Sequence, residues 1–199
     1  TVETYDLPII NISATLNPAC SGQASTITAN VTGGESPYSY NWDNGLGNDS
    51  SHTVYPVSAT TYNLTVTDNN SCAQQDSITL DVNPIPSTNL SANPSTICPG
   101  SSSTLEPNPS GGTSPYSFNW DNSLPPIENP TVSPASSTTY HLTLTDNSGC
   151  TTTDSITVDL FNSPNITTSA LPDTVCSGNS STISATAGGT TSPYTYSWD

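Results

Sequence analysis

The chain reads as all-β, a tandem string of small two-sheet sandwich modules, and three observations carry that reading. A 78-residue period runs through its 199 residues, since Cys20, Cys98 and Cys176 are equally spaced. Short runs of Val, Ile, Leu, Tyr and Thr alternate with polar residues and stop at Gly, Pro, Asn or Asp. No stretch shows the spacing of an amphipathic helix.

The period extends well beyond the cysteines. Trp42, Trp120 and Trp198 keep the same step, as do Cys72 and Cys150, Tyr62 and Tyr140, and the Ser-Pro-Tyr triplets at Ser36, Ser114 and Ser192. No insertion or deletion is needed. The repeat therefore divides the chain into residues 1–6, the tail of a preceding module; 7–84, a first module; 85–162, a second; and 163–199, a truncated third. Linkers fall at Pro84-Ile85-Pro86 and Asn162-Ser163-Pro164, where proline stiffens the connection and removes a ladder donor.

Within the first module, strands are expected near 9–14, 24–31, 37–43, 52–57, 60–67 and 74–82, with turns at Gly33-Gly34, Asn44-Gly45 and Asp68-Asn69-Asn70. So many short strands with regularly spaced turns suggest a sandwich. Alternation puts Tyr38, Tyr40 and Trp42 on one face, and the repeat makes Trp42, Trp120 and Trp198 core residues together with Tyr62 and Tyr140. Ile27, Ala29 and Val31 share a face, as do Leu64 and Val66, and Ile78, Leu80 and Val82. Their opposite faces carry Thr, Ser and Asn. Phe118 stands where the first module has Tyr40, so that position needs no hydroxyl and fits packing better than sugar binding.

Composition narrows the function. Sixteen acidic residues face no Lys or Arg, giving a net charge of −16, so no cation cluster exists to hold nucleic acid or an anionic lipid surface. A hydrophobic content of 31% implies a thin core. It also admits a disordered Ser/Thr/Pro stalk, against which the periodic alternation argues. Five cysteines without a CxxC pair argue for disulfides and an oxidising, extracellular location. No signal peptide or membrane span is visible, which is read here as the mark of an interior segment rather than of a cytoplasmic protein.

Three motifs give a resemblance. Cys20-Ser21-Gly22, the run Gly33 to Trp42 and the run Thr61 to Cys72 occur in the order and style of the PKD-like and Ig-like repeats of long Bacteroidota surface proteins, including gliding-motility adhesins exported by the type IX system. The resemblance implies an Ig-like β-sandwich in each module. Trp42 then corresponds to the third-strand Trp of such sandwiches and Tyr62 to the tyrosine-corner residue. The usual core disulfide is missing, because its positions hold Ile27 and Leu64.

In an Ig-type topology Cys20 and Cys72 sit at opposite poles of a module roughly 30 Å long, whereas a disulfide needs Cα atoms within about 7 Å. Head-to-tail stacking instead brings Cys20 beside Cys150. The favoured pairing is thus Cys20–Cys150, between modules, with Cys72, Cys98 and Cys176 paired to neighbouring modules. Intramodule Cys20–Cys72 pairing is the alternative.

Other chemistry is sparse. Asp43-Asn44-Gly45, Asp68-Asn69-Asn70 and Asp146-Asn147 offer oxygen ligands for calcium, but the same residues make turns, and none approaches a twelve-residue calcium loop. No metal or cofactor is expected. His52 and His141 face Pro130 and Asn63 one repeat away, so they form no repeated site and are taken as exposed strand residues. Asp76-Ser77-Ile78, Asp154-Ser155-Ile156 and Asp173-Thr174-Val175 resemble the Bacteroidota O-glycosylation motif, making Ser77, Ser155 and Thr174 candidate sites.

No catalytic set repeats, so the expectation is a non-enzymatic, cell-surface, structural and adhesive segment of a filament or stalk. Its partners would be neighbouring modules and lateral copies of the fibre, with no nucleic acid and no membrane insertion. The competing reading is a carbohydrate-binding or spacer array on a secreted hydrolase. That reading needs a repeated solvent-facing aromatic, yet the one fair candidate, Tyr55, is matched by Ser133.

Overall fold

A computed structural model describes residues 4–190 and 192–199, so the first three residues of the expected tail lie outside it. Thr4–Asp6 carry no strand, and the described residues include no helix. The fold is all-β, in tandem Ig-like sandwich modules. Two compact units are present. One comprises the chain through Ser87 together with Pro109–Tyr116 and Leu144–Thr152, and the other comprises Thr88–Asn108, Ser117–Thr143 and Thr153–Asp199.

The first module contains β1 (Ile9–Ala14), β2 (Ala19–Cys20), β3 (Ser25–Thr32), β4 (Ser39–Trp42), β5 (Ser51–Val54), β6 (Thr60–Thr67), β7 (Ala73–Leu80) and β8 (Val82–Asn83). One sheet runs β1-β3-β5 and another β4-β6-β7, both antiparallel. The exception is β2, which pairs in parallel with β8, Ala19 against Val82 and Cys20 against Asn83. A first strand that starts on one sheet and crosses to run parallel with the last strand of the other is the Ig-like arrangement.

The switch has a physical basis in one buried hydroxyl. Ser25 Oγ donates to the Leu16 carbonyl (2.8 Å) and accepts from Leu16 N–H (3.2 Å), securing the chain where β1 ends. In the second repeat Ser103 Oγ donates to the Pro94 carbonyl (2.7 Å), and proline has no N–H to return.

Alternation delivers the core. Ile27, Ala29, Trp42, Val54, Tyr62, Leu64, Val66 and Leu80 form one buried cluster, with Tyr38, Tyr40 and Ile78 packed half-buried against it. Ile27 and Leu64, the residues expected at the positions of the missing core disulfide, are both buried in this cluster. Trp42 is fixed by its indole N–H, which donates to the Asp49 carbonyl (3.0 Å), and Trp120 donates likewise to Ile127 (3.0 Å).

The second repeat contains β9 (Pro86–Ser87), β10 (Ser91–Asn93), β11 (Thr96–Ile97), β12 (Ser103–Glu106), β13 (Ser110–Gly111), β14 (Ser117–Trp120), β15 (Thr131–Val132), β16 (Thr138–Thr145) and β17 (Thr151–Leu160). Its sheets run β10-β12-β15 and β11-β17-β16-β14, with β11 parallel to β17. Trp120 and Tyr140 are buried, as are Trp42 and Tyr62.

Trp198 is a correction. It is 57% exposed rather than core, because the third repeat contributes only the hairpin β18 (Asn165–Leu171) and β19 (Thr182–Gly188), and no second sheet covers it among the described residues. His52 is a second correction. It is half-buried, its ring edge-on to Trp42 (centroids 6.1 Å, 84° between planes), and its Nε2 is buried without a hydrogen-bond partner.

Candidate functional site: the disulfide and its supporting turns

Cys20 and Cys150 are joined, with Cα atoms 5.6 Å apart and 130 residues between them in sequence. Both belong to the same compact unit. Each sulfur is presented by a turn that the sequence specifies closely.

Cys20 ends β2 and opens a tight turn. Gln23 N–H donates to the Cys20 carbonyl (2.8 Å), and Gln23 Oε1 accepts from Cys20 N–H (3.0 Å). Gly22 takes φ +75°, a left-handed conformation that glycine adopts without penalty. The turn is anchored by Ser21 N–H donating to the Asn83 carbonyl (2.9 Å).

Cys150 sits in the hairpin between β16 and β17, which is built on a buried carboxylate. Asp146 Oδ1 accepts from the N–H groups of Ser148 (2.9 Å) and Cys150 (2.8 Å), while Oδ2 accepts from Thr113 N–H (2.8 Å). Asn147 N–H donates in turn to the Thr113 carbonyl (2.8 Å). In a protein without Lys or Arg, the buried charge is answered by oriented backbone donors.

The first repeat carries the same device. Asp68 Oδ1 accepts from Asn70 (3.0 Å) and Cys72 (2.8 Å) N–H, and Oδ2 accepts from Glu35 N–H (3.1 Å). This explains the Gly-Gly pair. A Cβ on Gly34 would lie 2.9 Å from Asp68 Oδ2, and one on Gly112 would lie 2.7 Å from Asp146 Oδ2. The sequence marks Asp68-Asn69-Asn70 as a turn, and its carboxylate is engaged in holding that turn.

Cys72, Cys98 and Cys176 are unpaired, the first half-buried and the others exposed. Their local settings reproduce those of the bonded pair. Ser101 N–H donates to the Cys98 carbonyl and Asn179 N–H to the Cys176 carbonyl (3.0 Å each), with Gly100 and Gly178 at φ +84° and +91°. Cys72 takes the place of Cys150 on its Asp clamp.

Asp43 and Asp121 organise the loop after each Trp. Asp43 accepts from Asn63 N–H (2.9 Å) and Asn63 Nδ2 (2.6 Å), and Asp121 accepts from His141 N–H (3.0 Å). Burial first, and then the nearby Asp43 charge, raises the pKa of Tyr62 above the usual tyrosine value; burial and Asp121 do the same to Tyr140.

The candidate O-glycosylation residues Ser77, Ser155 and Thr174 are all exposed. Ser77 and Ser155 border depressions of about 440 and 410 Å³ at the same register of the two repeats, lined by Asn63, Thr65 and Gln75 in one and His141, Thr143 and Thr153 in the other. Sequence reading missed the shared role of the buried aspartates. The signal was available in the repetition of Gly-Gly and of Asp-Asn, but their pairing across 33 residues was not.

Residues 12–47 match the SprB repeat family. That segment holds Cys20-Ser21-Gly22, Gly33-Gly34 and Trp42. A search of curated proteins returned no match. Solved structures with similarity include the eight N-terminal Ig domains of DSCAM (18% identity, 79% of this chain and 25% of that one, TM-score 0.43). A 282-residue C-terminal fragment of intimin, solved with the intimin-binding domain of its translocated receptor, is 14% identical over 83% of this chain and 67% of its own (TM-score 0.47). The insect immune protein hemolin is 13% identical over 77% of this chain and 47% of its own (TM-score 0.42). The chain thus spans a quarter of the DSCAM fragment and under half of hemolin.

Proposed function

We propose that the chain is a run of structural and adhesive modules from an extracellular filament or stalk at the cell surface, without catalytic activity of its own. The observation that carries this reading is the covalent bond between Cys20 of one repeat and Cys150 of the next, which suits an array held under stress in an oxidising environment. The SprB repeat match supports a surface, adhesin-type module. Within that frame the chain fits the PKD-like and Ig-like repeat proteins of Bacteroidota exported by the type IX system.

The unpaired cysteines extend the scheme. Cys98 and Cys176 sit in the turn that holds Cys20, and Cys72 sits on the clamp that holds Cys150, so each would bond the complementary cysteine of an adjoining module. Each such bond removes two protons and two electrons from two thiols, taken up by a disulfide oxidant that is itself reduced to two thiols. Glycans on Ser77, Ser155 and Thr174 would add to the hydrated Thr-rich coat. The carbohydrate-binding alternative gains no support, because exposed Tyr55 has no aromatic counterpart at Ser133.

Antibodies raised against the chain and applied to intact producing cells test the reading. Surface labelling, together with loss of attachment to a solid surface when the gene is deleted, is the expected result. Labelling only after permeabilisation would overturn it.

A further inference from the structure

The position of the disulfide in the strand order has a mechanical consequence. Without the bond, tension along the chain enters the first module through β1, passes to β2 and leaves by β8, the strand paired with β2. That parallel pair, held by Ala19 N–H to the Asp81 carbonyl (3.1 Å) and Ser21 N–H to the Asn83 carbonyl (2.9 Å), would be loaded in shear. With the bond, tension leaves the backbone at Cys20, the last residue of β2, and re-enters it at Cys150, one residue before β17.

We propose that the Cys20–Cys150 bond is a load bypass: it carries tension past residues 21–149 so that the sandwiches stay folded while the fibre is pulled. The residues it shields are the ones that hold the fold. Ile27, Trp42, Tyr62, Leu64, Val66 and Leu80 all lie inside the closed loop, and so do Leu105, Trp120, Tyr140 and Leu142. Among the buried apolar residues described, Pro8, Ala19, Val158 and the bonded Cys150 lie outside.

The strands β1 and β17 that remain on the loaded path are already extended, whereas the hairpin β18–β19 lies outside the closed loop and would open with or without the bond. β17 is a ten-residue strand, which at about 3.3 Å per residue has almost no slack to release. The bond proposed above for Cys176 would continue the bypass along an array, leaving the stretch from Cys150 to Cys176 to bear tension. The biological purpose rests on the fibre reading, whereas the pulling experiment reads the bond alone, so the two can fail separately.

Single-molecule stretching of the full chain by its two ends, purified without reductant and then with it, is the test. The oxidised chain should reach a maximum extension about 440 Å shorter than the reduced chain, since 130 residue steps at about 3.4 Å are locked away. It should also show no module-sized step from residues 21–149. The double substitution Cys20→Ala, Cys150→Ala should behave as the reduced chain; if it does not fold, reductant added to the unmodified protein gives the same comparison. Equal extension with and without reductant, or a module-sized step in the oxidised chain, would overturn the proposal.

Discussion

At the scale of single residues, the buried carboxylates of Asp68 and Asp146 show how a chain with no cations stabilises negative charge. Each gathers three backbone N–H groups, two from its own hairpin and one from the Gly-Gly turn. Charge-assisted bonds of this kind contribute about 1.5–3 kcal/mol each when a partner is lost. Asp68→Asn keeps one carbonyl oxygen but turns an amide donor toward a backbone donor. We expect it to destabilise the first module by about 2–4 kcal/mol, read as a lowered midpoint in denaturant unfolding followed by Trp fluorescence. An unchanged midpoint would mean that these bonds are replaced by water. The turn at Asp68 was legible from composition, because Asp and Asn favour turns. Its long-range partner Glu35 was not, since a backbone N–H leaves no trace in sequence. His52 was misread for a related reason: burial against Trp42 depends on the neighbouring sheet rather than on residue type.

At the scale of elements, the strands of the first module were legible wherever alternation ran for four residues or more. β6 lies at 60–67 as its Tyr-x-Leu-x-Val pattern requires, and β1 lies at 9–14. β2 and β8 were not resolved as separate strands, because two-residue pairings are too short to carry a period and depend on the crossover secured by Ser25. The hairpin β18–β19 shows what alternation alone achieves. Its register is regular from Asn165–Gly188 to Leu171–Thr182, yet Ile166 and Ile183 remain 62% exposed. A two-stranded ribbon with no sheet packed on it is marginal in water. Backbone amides of β18 and β19 should therefore exchange with solvent deuterium at least a hundredfold faster than those of β6 and β7. Peptide-level hydrogen exchange by mass spectrometry makes the comparison in one sample. Comparable protection would show that the hairpin is covered in solution.

At the scale of the whole molecule, a net charge of −16 and a thin hydrophobic core leave little to hold the chain compact, and the disulfide supplies part of what is missing. The possibility of such a bond was legible from the odd cysteine count and the 78-residue step. Its partner was legible only after a topology had been assumed, which is why Cys72 competed with Cys150 in the sequence reading. Closing a loop of 130 residues lowers the entropy of the unfolded chain by an amount worth about 5 kcal/mol at room temperature. At about 2–4 °C per kcal/mol for a protein of this size, reduction should lower the melting temperature by about 10–20 °C. Differential scanning calorimetry with and without reductant measures the shift, with Cys72, Cys98 and Cys176 replaced by serine so that this bond alone responds. The Cys20→Ala, Cys150→Ala protein should melt at the reduced temperature in both buffers. A shift under about 2 °C would mean that the reduced, unfolded chain is already confined much as the bond confines it, and the stability of the fold would then have to come from the sandwiches alone.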